Sequence, residues 1–198
     1  MYCNLCRDLE RYCDSLGYGS TPGWFGKLYV IFKSPGYWAV VHYRFGFWVN
    51  KHYGESYRNP LKILLKMLYF AAKQVIVCLT KIDIMVTSDI GPGLFLSNKG
   101  NIIMGLRRMG KDCTIHHNVT IGQGVEGISP NFGDNIWLGH DSVVYGVIGI
   151  GDNTIIHDHT VLSKSLPGNI IAGGNPCRIK KRNIDPEHYS TMHAECLP

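Results

Sequence analysis

Residues 132–161 fall into sixes, FGDNIW, LGHDSV, VYGVIG, IGDNTI and IHDHTV, and Leu162 opens the next unit. Each unit starts on an aliphatic or aromatic side chain: Phe132, Leu138, Val144, Ile150 and Ile156. In Phe132-Gly133, Leu138-Gly139 and Ile150-Gly151 a glycine follows at once. The fifth place holds a second compact residue: Ile136, Ser142, Ile148, Thr154 and Thr160. Upstream the same beat runs through Met109, Ile115 and Ile121, with Cys113 and Val119 at the matching fifth places. So short a period belongs to a hexapeptide β-helix. Each six gives one strand and one turn, and three sixes close a triangular coil of about eighteen residues. Stacked coils bury a continuous core, with hydrogen bonds running from coil to coil, so the sheets have only two ends to protect. Spaced glycines also occur in β-sandwiches, but six consecutive in-phase units argue against one.

The beat is interrupted twice. Around Leu106-Arg107-Arg108 a unit is one residue short. From Ile121 to Phe132 the step is eleven residues instead of six, so Gln123–Asn131 must bulge out as a loop, and such loops tend to carry function. The coils are expected to start near Ile90-Gly91 and to end at Pro167-Gly168 and Gly173-Gly174-Asn175-Pro176, followed by the basic run Arg178, Lys180, Lys181, Arg182.

Residues 1–85 lack the beat and read as a helical N-terminal region, with 86–182 as the β-helix and 183–198 as a peripheral tail. Tyr2–Leu16 suits a short helix, broken by Gly17, Gly19, Pro22 and Gly23. The aromatic-rich Trp24–Trp48 suits helical packing. Pro60–Leu79 reads as a helix with Asn59 as its cap. Interrupted by Lys66, Lys73 and Gln74, it is too charged to cross a bilayer comfortably. Lys62, Lys66 and Lys73 share one face, which suits a helix lying on anionic lipid. The preferred alternative buries the apolar side on the protein and leaves the lysines in water.

At 198 residues, 45% of them hydrophobic, the chain can hold one substantial core. Its formal charge of +5 favours anionic partners, and the phosphates of a nucleotide cofactor would serve; a nucleic acid is not expected. No apolar leader core precedes residue 10 and the seven cysteines are scattered, which points to a reducing cytoplasm, or to the inner face of a membrane. Cys3 and Cys6 form one CxxC near Cys13, without a second pair to complete a zinc site.

Over residues 61–182 the chain resembles the hexapeptide acyltransferases, and within them the serine acetyltransferases and the enzymes that O-acetylate polysaccharides. The resemblance rests on Ile90-Gly-Pro-Gly-Leu, Ile115-His-His-Asn-Val-Thr-Ile-Gly, Asn135-Ile-Trp-Leu-Gly, Gly149-Ile-Gly-Asp and Ala172-Gly-Gly-Asn-Pro-Cys-Arg. It implies a left-handed parallel β-helix, a homotrimer with active sites in the clefts between prisms, and acetyl-CoA as donor. The departures bear on the acceptor. Where serine acetyltransferases carry Asp-His, this chain has Ser97-Asn98, and where their bulged loop has Arg-His-Pro it has Ile128-Ser129-Pro130. The family's acidic partner of the base is matched by Asp83. With both usual histidines gone, a sugar hydroxyl of a surface polysaccharide, or of its sugar-nucleotide or lipid-linked precursor, is expected ahead of free serine. An amino-sugar N-acetyltransferase stands third.

Acetyl transfer to a hydroxyl needs a base, because an alcohol is a weak nucleophile at neutral pH, and that help is worth roughly 10²–10⁴-fold. Coil arithmetic places Asn98 beneath His117 and Ser97 beneath His116. His117 is therefore the expected general base, oriented by Asn98 or Asp83, with His116 and His140 as the other candidates. His140 falls beneath Asp158, in the column that the resemblance assigns to the donor's pantetheine arm. Gly139, Gly173 and Gly174 would meet the donor's amides, and Lys180, Lys181 or Arg182 its phosphates. No metal is expected: His157 and His159 sit two apart but read as surface rings. The H-x₄-H spacing of a γ-type carbonic anhydrase occurs only at His188 and His193, beyond the coils. A non-catalytic scaffold is the remaining alternative.

Overall fold

The computed structural model describes residues 2–18, 23–53, 60–98, 100–124 and 127–184. Four helices come first: α1 (Tyr2–Ser15), α2 (Trp24–Lys33), α3 (Pro35–Tyr53) and α4 (Pro60–Thr80). Asn59, proposed as the α4 cap, and His188 and His193 lie outside the described residues. Fifteen strands follow and form three sheets. Sheet A holds β1 (Ile82–Ile84), β4 (Ile102–Met104), β7 (Val119–Gly122), β10 (Val143–Tyr145) and β13 (Val161–Leu162). Sheet B holds β2 (Asp89–Ile90), β5 (Arg108–Met109), β8 (Asn131–Phe132) and β11 (Gly149–Ile150). Sheet C holds β3 (Phe95–Leu96), β6 (Thr114–Ile115), β9 (Ile136–Leu138), β12 (Thr154–Ile156), β14 (Ile170–Gly173) and β15 (Arg178–Arg182).

Neighbouring strands are parallel except β14 and β15, so the chain winds A, B, C through about five coils. This is the β-helix with a helical N-terminal region expected from the sequence. The beat of sixes is its register. Leu96, Ile115, Leu138, Ile156 and Ala172 stack down sheet C, and Met104, Ile121, Val144 and Leu162 down sheet A, all 0–1% exposed. The fifth-place residues Cys113, Val119, Ile136, Ser142, Thr154 and Thr160 are completely buried. At the corners the backbone turns left-handed. Asp112, Asn135, Asn153 and Asn169 mark one corner and Asn118, Asp141 and His159 another, with φ between 53° and 57°. Asn and Asp tolerate that region best among residues with a Cβ. The eleven-residue step falls between β7 and β8, as expected, except that Asn131 belongs to β8.

The first strand, β1, lies ahead of both the Ile90 start and the 85/86 boundary read from the sequence. Ile82 and Ile84 face inward, but the outward Asp83 and the irregular Met85–Ser88 that follows hide them from a six-residue count.

The helices cover the open end of the first coil, where a solenoid must be capped. Tyr12 donates its hydroxyl to the carbonyl of Leu96 and accepts from the Leu96 N–H, at 3.0 and 2.9 Å, completing the exposed side of β3. The buried Asp8 carboxylate accepts from the amides of Gly93 and Leu94 and pairs with Arg44 at 2.9 Å, while Arg44 donates to the carbonyls of Ile90 and Gly91. At the far end β15 lies antiparallel on β14.

α4 faces the other way from the preferred expectation. Lys66 and Lys73 are on its half-buried side, Lys73 2.8 Å from Asp83, and the apolar residues point outward. A helical wheel shows which residues share a face; what that face packs on is settled by α3 and β1.

Candidate active site

Three imidazoles line up on the corner between sheets C and A, one per coil. His117 and His140 lie face to face, ring centroids 5.0 Å apart and planes 13° from parallel. His159 meets His140 edge-on at 5.0 Å. The corner repeats because the coils do: the amide of Asp141 donates to the carbonyl of His117, and that of His159 to the carbonyl of His140.

His140 is the best-anchored of the three. Its Nδ1 is 3.0 Å from one carboxylate oxygen of Asp141 and its Nε2 3.1 Å from Asp158, whose other oxygen accepts from the His140 amide at 2.9 Å. Asn118 donates to Asp141 at 3.0 Å, and that bond, with His140 behind it, holds the Asp141 carboxyl below the usual carboxylate range. The arrangement needs glycine at 139, since a Cβ there would sit 2.2 Å from Asp158 Oδ1 and 2.6 Å from its backbone nitrogen. His117 is half-buried; a Cβ on Gly100, in the coil below, would come within 2.8 Å of its own Cβ.

The register puts Asn98 under His117 and Asp158 over His140, as the coil count had it. Neither proposed orienting group bonds to His117, however. The Asn98 side-chain oxygen accepts from the amide of Gly36 at the start of α3, at 3.1 Å, and Asp83 is held by Lys73. Both serve the junction of helices and coil. The group placed against His117 is His140, whose two carboxylates the sequence reading had not joined into one constellation. A column of His or Asp at one phase of the coil, 117, 140–141 and 158–159, is the signal that could have found it.

His116 points away, onto Trp137, with centroids 4.8 Å apart; burial pushes its pKa down to about 4, so it stays neutral. His157 lies against Gly173 and Lys180, its pKa lowered by burial and by that lysine, and so does not pair with His159. Lys180 and Lys181 are exposed on β15 beside Arg178 and Arg182. The Gly139 amide donates to Ile156 and the Gly174 amide to Thr160, so neither is a free donor. Among the described residues, His117, His140 and Asp141 bring possible metal ligand atoms within 4.8 Å of one another. Two nearly parallel rings aim their in-plane lone pairs side by side, and a metal would need one ring to turn. Cys3 and Cys6 are exposed on α1 and Cys13 is buried, so the three do not converge.

A stack of parallel hexapeptide coils behind a helical cap defines the class. No family model matches the chain. It is 30% identical over 156 residues to a serine acetyltransferase of Mycobacterium tuberculosis, covering 77% of this chain and 63% of that one. To the galactoside O-acetyltransferase of Escherichia coli it is 32% identical over 76 residues, 38% of this chain and 37% of that one. Among solved structures it superposes on serine acetyltransferase from Brucella abortus in complex with coenzyme A, with a TM-score of 0.73 at 20% identity, covering 91% of this chain and 68% of that one. The chain is a hexapeptide-repeat β-helix protein, similar over most of its length to serine acetyltransferases and over a shorter stretch to galactoside O-acetyltransferases. It spans under two thirds of the length of the Mycobacterium relative.

Proposed function

We propose that the protein is an acetyl-CoA-dependent O-acetyltransferase with His117 as general base. The observation that carries this is the half-buried His117 ring packed on an imidazole that two carboxylates fix in place. His117 removes the proton of the acceptor hydroxyl as its oxygen bonds to the acetyl carbonyl carbon. The carbon–sulfur bond of the thioester then breaks, and the departing thiolate takes up the proton. His140, Asp141 and Asp158 keep the His117 ring in one orientation, the positioning that general-base catalysis requires. Asp83 and Asn98 contribute by fixing the helices to the first coil.

For the donor, His140 and Asp158 beside Gly139, and the cations Lys180 and Lys181 near Gly173, are the fitting groups: polar side chains for the arm's amides and flexible positive charge for phosphates. Ile103 and Tyr145 on sheet A and Val147 just after β10 are exposed, at 52%, 46% and 57%, which supports an assembly of prisms through that face, a homotrimer in the simplest case.

The relatives matched over most of the chain are named for serine, which favours serine as acceptor over the sugar hydroxyl first expected. The sugar reading keeps one support: Ser97-Asn98 and Ile128-Ser129-Pro130 stand where the serine enzymes carry their histidines. Release of CoA from acetyl-CoA, measured with serine and with a panel of mono- and oligosaccharides, decides. Turnover with serine alone supports the first reading and turnover with sugars alone the second. No release with any acceptor and no thermal shift with CoA removes both and leaves a scaffold.

A further inference from the structure

The helical region turns its apolar side outward. On α4, Ile63, Leu64, Met67, Phe70, Val75 and Leu79 are 51–66% exposed, and among the described side chains no charged one interrupts that face. On α2, Trp24, Phe25, Leu28, Tyr29 and Phe32 are 41–75% exposed, Lys27 and Lys33 flank them, and Val30 alone is buried. Each of these helices presents an exposed apolar face, and faces of this kind mark interaction sites.

Charge identifies the partner. Helices α2, α3 and α4 contain no aspartate or glutamate, and their charged side chains are all lysine or arginine. A second copy laid on α2 would set the exposed Lys27 and Lys33 against their counterparts with no carboxylate from these helices between them, and like charges across an interface are costly. An anionic bilayer supplies the missing negative charge. It also suits the residue types: Trp and Tyr settle at headgroup level, Phe and Leu enter the acyl boundary, and lysine stems reach back to phosphate. The segment Ile63–Thr80, with mean hydropathy 1.7, is long and apolar enough to cross a membrane. Its inner side, however, is held by α3 and β1 through Tyr69 and the Lys73–Asp83 pair, which keeps it lying along a surface.

We propose that α2 and the outer face of α4 dock this protein on an anionic lipid bilayer. The proposal is independent of the acceptor and of His117, since its readout is binding. The full chain is floated with phosphatidylcholine vesicles alone and with vesicles containing phosphatidylglycerol. Flotation with the anionic vesicles only, weakened by salt, is expected. The Phe25→Glu/Phe32→Glu variant should lose it while melting like the parent, both side chains being more than 70% exposed. Replacing Lys27 and Lys33 by Ala should weaken binding about fivefold per lysine, about 1 kcal/mol each. No flotation with anionic vesicles overturns the proposal, as does flotation that the Phe25/Phe32 variant retains. So does a fall in oligomeric mass of that variant by light scattering in the absence of lipid, which would assign the face to a second copy of the chain.

Discussion

His117 and His140 come from coils 23 residues apart in sequence, yet their rings lie 5.0 Å apart and within 13° of parallel. The bulged loop between β7 and β8 lengthens that coil, but it leaves the chain before sheet B and returns in register, so the corner is undisturbed. Replacing His117 with Ala should lower turnover at least about a hundredfold, the lower range of general-base contributions, with an unchanged melting temperature. Replacing His140 with Phe keeps an aromatic neighbour but loses both carboxylate contacts, and a smaller fall is expected. Equal turnover in the His117 variant and the parent would remove the base assignment.

The pair Asp8–Arg44 joins the helical cap to the first coil and is almost entirely shielded from water. Removing one partner strands the other charge, so Asp8→Ala should cost about 3–5 kcal/mol, read by denaturant titration. A double replacement, Asp8→Leu with Arg44→Met, should cost less than the two single changes added together.

His116 predicts an acid limit. Its folded pKa, about 4, lies below the ordinary histidine value because burial disfavours the charged ring, so the unfolded chain binds the proton more readily. The stability this ring contributes is therefore intact above about pH 6.5 and is lost as pH falls from there toward 4, at about 1.4 kcal/mol for each tenfold of proton affinity. His116→Gln should flatten the melting temperature over that window. His157 and His42, also lowered by burial, will leave a residual slope.

At Gly151 an added Cβ would sit 2.3 Å from the backbone nitrogen of Gly168, which no side-chain rotation relieves. Gly151→Ala should destabilise by about 1–3 kcal/mol in a thermal or chemical melt, whereas the same change at the open Gly149 should be close to neutral.

The coil was legible because its inward side chains repeat at one fixed step, and the corner histidines because register follows from counting. What failed to show was whatever depends on contacts far apart in sequence. Asp8 meets Gly93 and Leu94 across 85 and 86 positions, and Asn98 meets Gly36 across 62, so the partners of both were unreadable. Asp83, matched to a catalytic acid by resemblance, is taken by Lys73 instead. For α4 the wheel grouped Lys66 and Lys73 correctly, but which side of the helix meets water is a tertiary property.

The two terminations of the stack carry a last consequence. One is sealed by Asp8 and Tyr12 against β3 and the turn before it, the other by the cationic ribbon β15, which pairs with β14. Height is thereby uncoupled from closure. A whole rung of eighteen or so residues can be added or lost between the lids without opening either, whereas any other increment must loop out, as the segment after β7 does.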